Sequence, residues 1–218
     1  MNQKAAMRNA RYIVIEGPIG VGKTSLATLL APELNARLIF ECAEENPFLT
    51  DFYNDPERFR FQTQIFFLMN RFSQQEEFSQ HDLFNQVTIS DYLFAKDRIF
   101  AYLNLNEHEL GLYEQIYRMI EPKIVKPDLV IFLQADTEMI LRRIKQRGRP
   151  FEKNVNYDYI EAVNEAYNHF FFRYSETPLL VINTSDIDFV HSPKDLDDLI
   201  RQILSMREGT LYYVPTSR

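Results

Sequence analysis

One short segment constrains the fold of this chain more than any other feature. The pattern G-x-x-x-x-G-K-[ST] is matched by Gly17-Pro18-Ile19-Gly20-Val21-Gly22-Lys23-Thr24. An apolar run, Tyr12 to Ile15, precedes it, and a helical pattern, Ser25 to Ala31, follows it. In this setting the backbone N–H groups of the loop converge on phosphate oxygens, and the lysine reaches the β and γ phosphates. The segment therefore predicts a phosphate-binding loop (P-loop) over Gly17 to Ser25, with Thr24 placed to hold Mg²⁺.

The order of apolar runs along the chain predicts a parallel sheet. Short runs suited to buried strands alternate with long helical patterns; they are Tyr12 to Ile15, Arg37 to Phe40, Gln86 to Ser90, Leu129 to Leu133 and Leu179 to Ile182. Such alternation is typical of parallel strands joined by crossover helices. Together with the P-loop, it predicts an α/β fold of the P-loop NTPase type, with a five-stranded parallel sheet flanked by helices on both faces.

Local signals mark where three helices begin. Asp55-Pro56 and Ser192-Pro193 each place a capping side chain before a proline at the first helical position. Asp136 or Thr137 begins a third helix, which Gly148 is suited to end.

The composition indicates one folded domain. Hydrophobic residues make up 45% of the 218 residues, which is enough apolar material for a sizeable core. No linker rich in proline, glycine and serine divides the chain. We expect a flexible N-terminal leader over residues 1–11, a single domain over 12–207 and a C-terminal tail over 208–218.

Charge and cysteine content restrict the partners and the compartment. The 31 acidic residues outnumber the 24 basic ones, so the net charge of −7 disfavours binding to nucleic-acid polymers and to anionic membranes. Cys42 is the single cysteine, which excludes an intrachain disulfide and fits a reducing compartment such as the cytoplasm. The longest clearly apolar stretch, Leu129 to Leu133, is far shorter than the roughly 20 residues of a membrane-spanning helix.

A cluster of cations interrupts this acidic chain. Arg142 to Arg149 contains five basic residues and no acid. Arg143 and Arg147 are four residues apart, so both guanidinium groups lie on one helical face and reach one triphosphate. The segment therefore predicts a local anion site, although cations that compensate the C-terminal end of a helix give the same pattern.

Two polar residues stand in the aromatic helix that follows Asp55-Pro56. Gln64 and Arg71 are seven residues apart and therefore share one helical face. An amide and a guanidinium among phenylalanines suit a nucleobase pocket, where aromatic walls stack the base and the amide reads its edge. The alternative is a solvated stripe opposite a packed apolar face.

Acidic residues follow two of the predicted strands. Glu41 comes directly after the second strand, and Asp91 comes directly after the third. Ligands of open α/β sheets bind at this carboxyl edge, where a carboxylate can accept a proton or orient metal-bound water. Glu41 is one of three neighbouring acids with Glu44 and Glu45, so a solvated loop charge remains an alternative for it.

An ordered set of further motifs resembles the deoxynucleoside kinase family, most closely its bacterial deoxyadenosine/deoxyguanosine kinase branch. The motifs are the P-loop, Phe40 to Leu49, Phe52-Tyr53 leading to Gln64 and Arg71, Ser90 to Phe94, Arg143 to Arg149, and Asp188-Phe189. A guanine-binding switch would carry Asn-Lys-x-Asp, which this sequence lacks. The resemblance implies transfer of the γ-phosphoryl group of ATP, with Mg²⁺, to the 5′-hydroxyl of a deoxyribonucleoside, with a preference for purines, and a homodimer.

The resemblance also implies a role for each site residue. Glu41 would be the general base, and Thr24 and Asp91 would hold Mg²⁺. Lys23 would stabilise charge together with Arg143 and Arg147, which belong to a lid that closes over ATP. Gln64 and Arg71 would contact the base, while Tyr53 and Glu152 would hold the sugar 3′-hydroxyl. The lid would span residues 142–155, and Arg147, Arg149 and Phe189 would contact the donor nucleotide.

The sequence departs from the family pattern after the third strand. Members of the family commonly have an arginine after the acid, but here Tyr92 follows Asp91. This leaves open which group supports Glu41. The family's further base-reading acid is matched by Asp97 as a candidate. Two other functions also stay open: a nucleoside monophosphate kinase similar to thymidylate kinase, and a nucleotide-binding module without catalysis.

Overall fold

The computed structural model describes residues 11–80, 87–152, 155–185 and 187–213, without the side chains of 77–80. Residues 1–10 of the predicted leader, Gln86 of the third predicted strand, residues 153 and 154 of the predicted lid and residues 214–218 of the predicted tail lie outside these ranges. No helix among the described residues is long and apolar enough to cross a membrane.

One parallel sheet organises the described residues. Its strands in chain order are β1 (Tyr12–Glu16), β2 (Arg37–Ile39), β3 (Thr88–Ser90), β4 (Leu129–Gln134), β5 (Leu179–Asn183) and β6 (Thr210–Tyr213). The spatial order is β2-β3-β1-β4-β5-β6, with every neighbouring pair parallel. The P-loop strand β1 therefore lies inside the sheet, between β3 and β4.

The helices connect successive strands and cover the sheet. They are α1 (Lys23–Leu34), α2 (Leu49–Asn54), α3 (Pro56–Gln80), α4 (Lys96–Asn104), α5 (Glu107–Ile120), α6 (Thr137–Arg147), α7 (Tyr157–Phe172) and α8 (Pro193–Ser205), with short 3₁₀ turns at Ala43–Glu45, Glu121–Lys123 and Pro150–Glu152.

The two faces of the sheet bury separate apolar clusters. Alternate residues of β1 divide between them, because successive side chains of a strand point to opposite faces. Ile13 and Ile15 pack with residues of α1, α6 and α8, whereas Tyr12 and Val14 pack with residues of α4 and α7. A third cluster joins α3, α4 and α5 around Tyr113. The structure confirms the predicted parallel sheet with helices on both faces.

The predicted five-stranded sheet is wrong by one strand. β6 lies within the segment predicted to be a C-terminal tail, and it pairs with β5 along Leu179↔Thr210 and Ile182↔Tyr213. The other five strands match the predicted runs to within two residues. An edge strand has one free side, and three of the four β6 residues are exposed. It therefore lacks the buried apolar run that revealed the inner strands.

The three predicted helix starts are confirmed. The side chain of Asp55 accepts a hydrogen bond from Arg58 N at 3.4 Å, ahead of α3, and Ser192 Oγ accepts one from Asp195 N at 3.3 Å, ahead of α8. The third helix, α6, begins at Thr137, and Gly148 ends it in the left-handed conformation with a φ of 65°.

Candidate functional site

The P-loop wraps its backbone tightly between β1 and α1. Gly17 has a φ of 151°, and a Cβ atom there would lie 2.5 Å from the carbonyl oxygen of Leu133 in β4. Gly22 caps α1 in a left-handed conformation with a φ of 113°, which side chains strain to adopt. Both positions therefore need glycine, one for space and one for conformation.

The P-loop lysine lies over its own loop. Lys23 Nζ donates hydrogen bonds to the carbonyl oxygens of Gly17 at 2.7 Å and Pro18 at 3.1 Å. Burial lowers the pKa of Lys23 to about 8. The ammonium group is thus held against the main chain of the loop, where an anion bound to the P-loop would meet it.

Asp91 links the P-loop helix to the segment that follows β2. Its Oδ2 accepts from Thr24 Oγ1 at 2.6 Å, and its Oδ1 accepts from the backbone N–H of Glu41 at 2.9 Å. A hydroxyl and a carboxylate at this distance are the hard oxygen donors that Mg²⁺ binds beside phosphate groups and water. The pair predicted as metal-binding is therefore brought together and fits the ion.

Two buried cations hold the carboxylate of Glu41. Its Oε1 accepts from Arg71 Nε at 2.7 Å and lies 2.6 Å from Arg71 Nη2, and its Oε2 accepts from Lys96 Nζ at 2.7 Å. Burial raises the pKa of the Glu41 carboxyl, but the positive charges of Arg71 and Lys96 outweigh it and hold the pKa well below its usual range. Glu41 is therefore a fixed carboxylate and not a solvated loop charge.

Asp97 anchors the predicted base-reading residues from behind. It is fully buried; its Oδ1 accepts from Gln64 Nε2 at 2.6 Å and from the Tyr113 hydroxyl at 2.8 Å, and its Oδ2 is paired with Arg71. Gln64 and Arg71 line a cavity next to Glu41, whereas Asp97 does not. The candidate acid thus fixes the side chains that line the cavity and does not itself face it.

This first cavity brings together the four residues predicted to contact the base and the sugar with the predicted general base and the predicted Mg²⁺ ligand; they are Tyr53, Gln64, Arg71, Glu152, Glu41 and Asp91. Its polar lining consists chiefly of Lys23, Thr24, Glu41, Tyr53, Gln64, Arg71, Asp91, Lys96, Arg147, Arg149 and Glu152. Its aromatic walls are Phe52, Phe67, Phe100, Phe151, Tyr159 and Tyr167. Apolar rings with a few converging polar groups are typical of small-ligand sites.

Tyr53 and Glu152 both line the first cavity, as do the lid residues Arg147 and Arg149. Burial raises the pKa of the Tyr53 phenol, so the hydroxyl stays protonated and can donate. Glu152 is 7% exposed, and its Oε1 accepts from Arg147. Within the described part of the chain its Oε2 is a buried acceptor that lacks a partner. A donor and a free acceptor in the same cavity suit a hydroxyl group of a ligand.

A second cavity is lined by most of the P-loop. It is lined by Gly20, Val21, Gly22, Lys23, Thr24 and Ser25 together with Arg143, Arg147, Arg149 and Phe189. Five of these residues also line the first cavity: Gly20, Lys23, Thr24, Arg147 and Arg149. The two cavities therefore meet at the P-loop lysine and threonine.

The predicted lid arginines differ in what they contact. Arg143 donates to the carbonyl oxygen of Val21 at 2.8 Å and to that of Thr184 at 3.3 Å, so it braces the P-loop against the end of β5. Arg147 pairs with Glu152, and Arg149 lies 3.3 Å from Glu44. The lid is thereby tied to the acceptor side of the site.

Phe189 packs against the P-loop at Gly22. Its side chain is buried, and its ring lies 3.2 Å from where a Cβ of Gly22 would be. Arg147 and Phe189, which are expected to contact the donor nucleotide, both line the second cavity, and Arg147 is also paired with Glu152.

The comparison with family models decides the classification. The model described as "Deoxynucleoside kinase" matches residues 13–207, which is most of the chain. The chain belongs to the deoxynucleoside kinase family. The resemblance found in the sequence motifs is thereby confirmed, and with it a phosphotransferase on the α/β P-loop scaffold.

Individual relatives of this kinase cover nearly its full length. The deoxyguanosine kinase of Bacillus subtilis (strain 168) is 37% identical over 202 residues, which are 90% of this chain and 98% of the relative. The deoxyadenosine kinase of Dictyostelium discoideum is 35% identical over 196 residues, 87% of this chain and 78% of that one. A structure of deoxyadenosine kinase from M. mycoides with bound dCTP has a TM-score of 0.77 at 25% identity and covers 89% of this chain and 99% of its own.

The site of this kinase also contains residues that the sequence reasoning missed. Glu16 is fully buried at the end of β1, where Oε1 accepts from Gly17 N at 2.8 Å and Oε2 accepts from Leu93 N at 2.6 Å. Lys96 is 2% exposed and contacts Glu41. A signal for Lys96 was present, since it lies three residues before Ile99 and four before Phe100, on the helix face that is apolar.

Proposed function

We propose that this kinase transfers the γ-phosphoryl group of ATP to the 5′-hydroxyl of a purine deoxyribonucleoside and so makes the 5′-monophosphate for nucleotide salvage. The observation that carries the proposal is the position of Glu41. Its carboxylate lines the first cavity, which shares Lys23 and Thr24 with the second. A nucleoside in the first cavity would therefore present its hydroxyl to a phosphate bound at the P-loop.

The reaction needs one proton acceptor. As the 5′-oxygen bonds to the γ-phosphorus, the bond from that phosphorus to the β-phosphate oxygen breaks, and the hydroxyl proton passes to Glu41. A carboxylate with a lowered pKa is a weak base that stays ionised. That suffices, because the transition state of phosphoryl transfer is loose and rewards orientation more than proton abstraction.

The donor side supplies charge. Lys23 and the N–H groups of Gly17 to Ser25 would bind the phosphates, and Arg147 and Arg149 are available from the lid. Thr24 and Asp91 would hold Mg²⁺, which neutralises charge that develops on the phosphate oxygens. The lid would exclude water, which otherwise competes with the alcohol for the phosphoryl group.

The acceptor would be held by two groups of residues that line the first cavity, one for the base and one for the sugar. Gln64 Nε2 donates hydrogen bonds to the main-chain oxygen of Asp97 at 2.9 Å and to Asp97 Oδ1. The amide oxygen of Gln64 is thereby left to accept a hydrogen bond from the base. Arg71 offers a fixed cation beside it. Tyr53 and the free oxygen of Glu152 would bind the sugar 3′-hydroxyl. Purines are favoured because the relatives named above include deoxyguanosine and deoxyadenosine kinases.

Assembly and location complete the proposal. We infer a cytoplasmic homodimer, which the family resemblance implies. Large apolar side chains of α3, α4 and α5 are exposed and give such an interface material; they are Met69, Tyr102, Leu112 and Met119. Light scattering coupled to size-exclusion chromatography tests this, and a monomer mass at micromolar concentration contradicts it.

The deciding experiment measures ADP release with Mg·ATP and identifies the product for five separate acceptors. These are deoxyadenosine, deoxyguanosine, deoxycytidine, thymidine and thymidine monophosphate. We expect turnover with one or both purine nucleosides. Turnover with pyrimidine nucleosides alone contradicts the base preference. Turnover with the monophosphate alone indicates a nucleotide kinase, although the Glu41 carboxylate would repel a phosphate there. Silence with every acceptor indicates a binding module.

A further inference from the structure

Lys96 is a buried cation that joins two carboxylates of the site. It is the first residue of α4, and its side chain is 3% exposed. Its Nζ lies 2.7 Å from Glu41 Oε2 and 4.0 Å from Glu16 Oε2. A buried ammonium is costly unless paired, so both carboxylates are needed to keep it there. The position of Lys96 is thus set by the same charges that it holds in place.

The two cations that bind Glu41 connect its carboxylate to different parts of the site. Arg71 takes Oε1 and also binds Asp97, so it ties the carboxylate to the base-reading end of the first cavity. Lys96 binds Oε2 and lies near Glu16, whose carboxylate accepts a hydrogen bond from the backbone N–H of Gly17 in the P-loop. Lys96 therefore connects Glu41 to the strand that positions the P-loop, and Arg71 alone does not.

Tyr92 cannot supply the cation that links Glu41 to the P-loop strand. It is 1% exposed, and the Lys96 ammonium lies 5.9 Å from the centre of its ring. A phenol with a pKa raised by burial carries no charge at neutral pH. The position directly after Asp91 is therefore a neutral wall next to Lys96, and the cation comes from the start of the helix instead.

We propose that Lys96 is the positioning residue of Glu41, which sets the carboxylate at the junction of the donor and acceptor cavities. This inference rests on the proposed function, because it assumes that Glu41 receives the proton of the acceptor. Lys96 acts through Glu41, so its loss reduces turnover more than it weakens nucleoside binding. The carboxylate remains in the cavity through Arg71, but its free oxygen is no longer aligned.

The first test replaces Lys96 with methionine, which has similar length and no charge. We expect Lys96→Met to lower kcat about 100-fold while the KM for the nucleoside changes less than about threefold. Lys96→Arg, which restores a cation, should have a kcat at least about tenfold higher than that of Lys96→Met. The matched control is Lys126→Met on the surface, whose partner is Glu176 at 3.0 Å and whose kcat we expect unchanged. Loss confined to KM, or wild-type kcat in Lys96→Met, overturns the proposal.

The second test is a double-mutant cycle that combines Lys96→Met with Glu41→Gln. It separates positioning of Glu41 from a general structural role of Lys96. Adding Lys96→Met to Glu41→Gln should change the residual kcat by less than about twofold, because the group that Lys96 positions is already gone. A structural role predicts that the two losses multiply, and that result overturns the proposal. The double variant removes both charges together, so this comparison remains decisive even if Lys96→Met alone does not fold.

The two proposals fail in distinguishable ways. If the unchanged enzyme releases no ADP with any nucleoside, the proposed function is wrong and takes this inference with it. If the enzyme phosphorylates nucleosides and Lys96→Met does so equally well, the role of Lys96 alone is wrong.

Discussion

The donor and acceptor halves of this site are built in opposite ways. The donor half is main chain: consecutive residues from Gly17 to Ser25 form the cradle, and positive φ angles at three glycines shape it. The acceptor half is side chain: Glu41, Arg71 and Lys96 come from three separate elements and meet at one carboxylate. The first half depends on backbone conformation, and the second depends on buried charges that balance one another.

This difference decides how each half can fail. A cradle of N–H groups tolerates changes around it, provided that the glycine conformations survive. A buried ion network does not, because removal of one member leaves its partner charged without compensation, which costs about 3–5 kcal/mol. The acceptor half should therefore respond more strongly to single substitutions than the donor half.

The largest effect is expected for Glu41→Gln. The amide keeps the shape but cannot accept the proton, so kcat should fall about 10²- to 10⁴-fold while nucleoside binding is nearly kept. Steady-state kinetics and nucleoside titration measure the two quantities. The control is Glu45→Gln, the same change at an exposed acid nearby, which should keep full kcat. Near-normal turnover of Glu41→Gln would contradict the assignment of Glu41 as the general base.

The next effect is expected for Asp97→Asn, which breaks the charge pair with Arg71 behind the cavity. We expect the free energy of unfolding to fall by about 3 kcal/mol and the nucleoside KM to rise about tenfold, with the ATP KM unchanged. Urea unfolding and kinetics with each substrate varied measure these effects. Asp197→Asn, at an exposed position of α8, is the matched control. An equal rise in the ATP KM would show that the two halves are not separate.

Gly22→Ala is the corresponding test of the donor half. The left-handed conformation and the nearby Phe189 ring should together lower the free energy of unfolding by about 1–3 kcal/mol and raise the ATP KM, with the nucleoside KM unchanged. Gly111→Ala is the control in the exposed interior of α5, with open space around it. There the same change should stabilise the protein by about 0.5–1 kcal/mol. Stabilisation by both substitutions would contradict the strained cradle.

The smallest effect is expected at β6, which belongs neither to the P-loop cradle nor to the buried ion network, although Tyr213 lines the second cavity. The Tyr213 hydroxyl donates to Asp198 Oδ2 and attaches the edge strand to α8. Tyr213→Phe should lower the free energy of unfolding by about 0.5–1.5 kcal/mol, measured by urea titration. Tyr212→Phe, whose side chain is 61% exposed, should leave it unchanged. Equal stability of both variants would show that the hydrogen bond contributes nothing measurable.

The predictions from sequence succeeded where the signal is local. The P-loop pattern, the capping residues Asp55 and Ser192, and the apolar inner strands are each properties of a few consecutive residues. β6 escaped because an exposed edge strand carries no buried run. The ion pair between Arg147 and Glu152 also escaped, because nothing in the local sequence shows which carboxylate a lid arginine meets.

The sequence by itself determined the fold class, the phosphate cradle and some of the residues that line the two cavities, but not Lys96. Tertiary structure decided which charges meet. Arg71 shares its guanidinium between Glu41 and Asp97, and Lys96 bridges Glu41 and Glu16, although these residues are up to 80 positions apart. The physical reason is that backbone conformation follows local preferences, whereas the energy of a buried charge depends on every group around it, wherever that group lies in the chain.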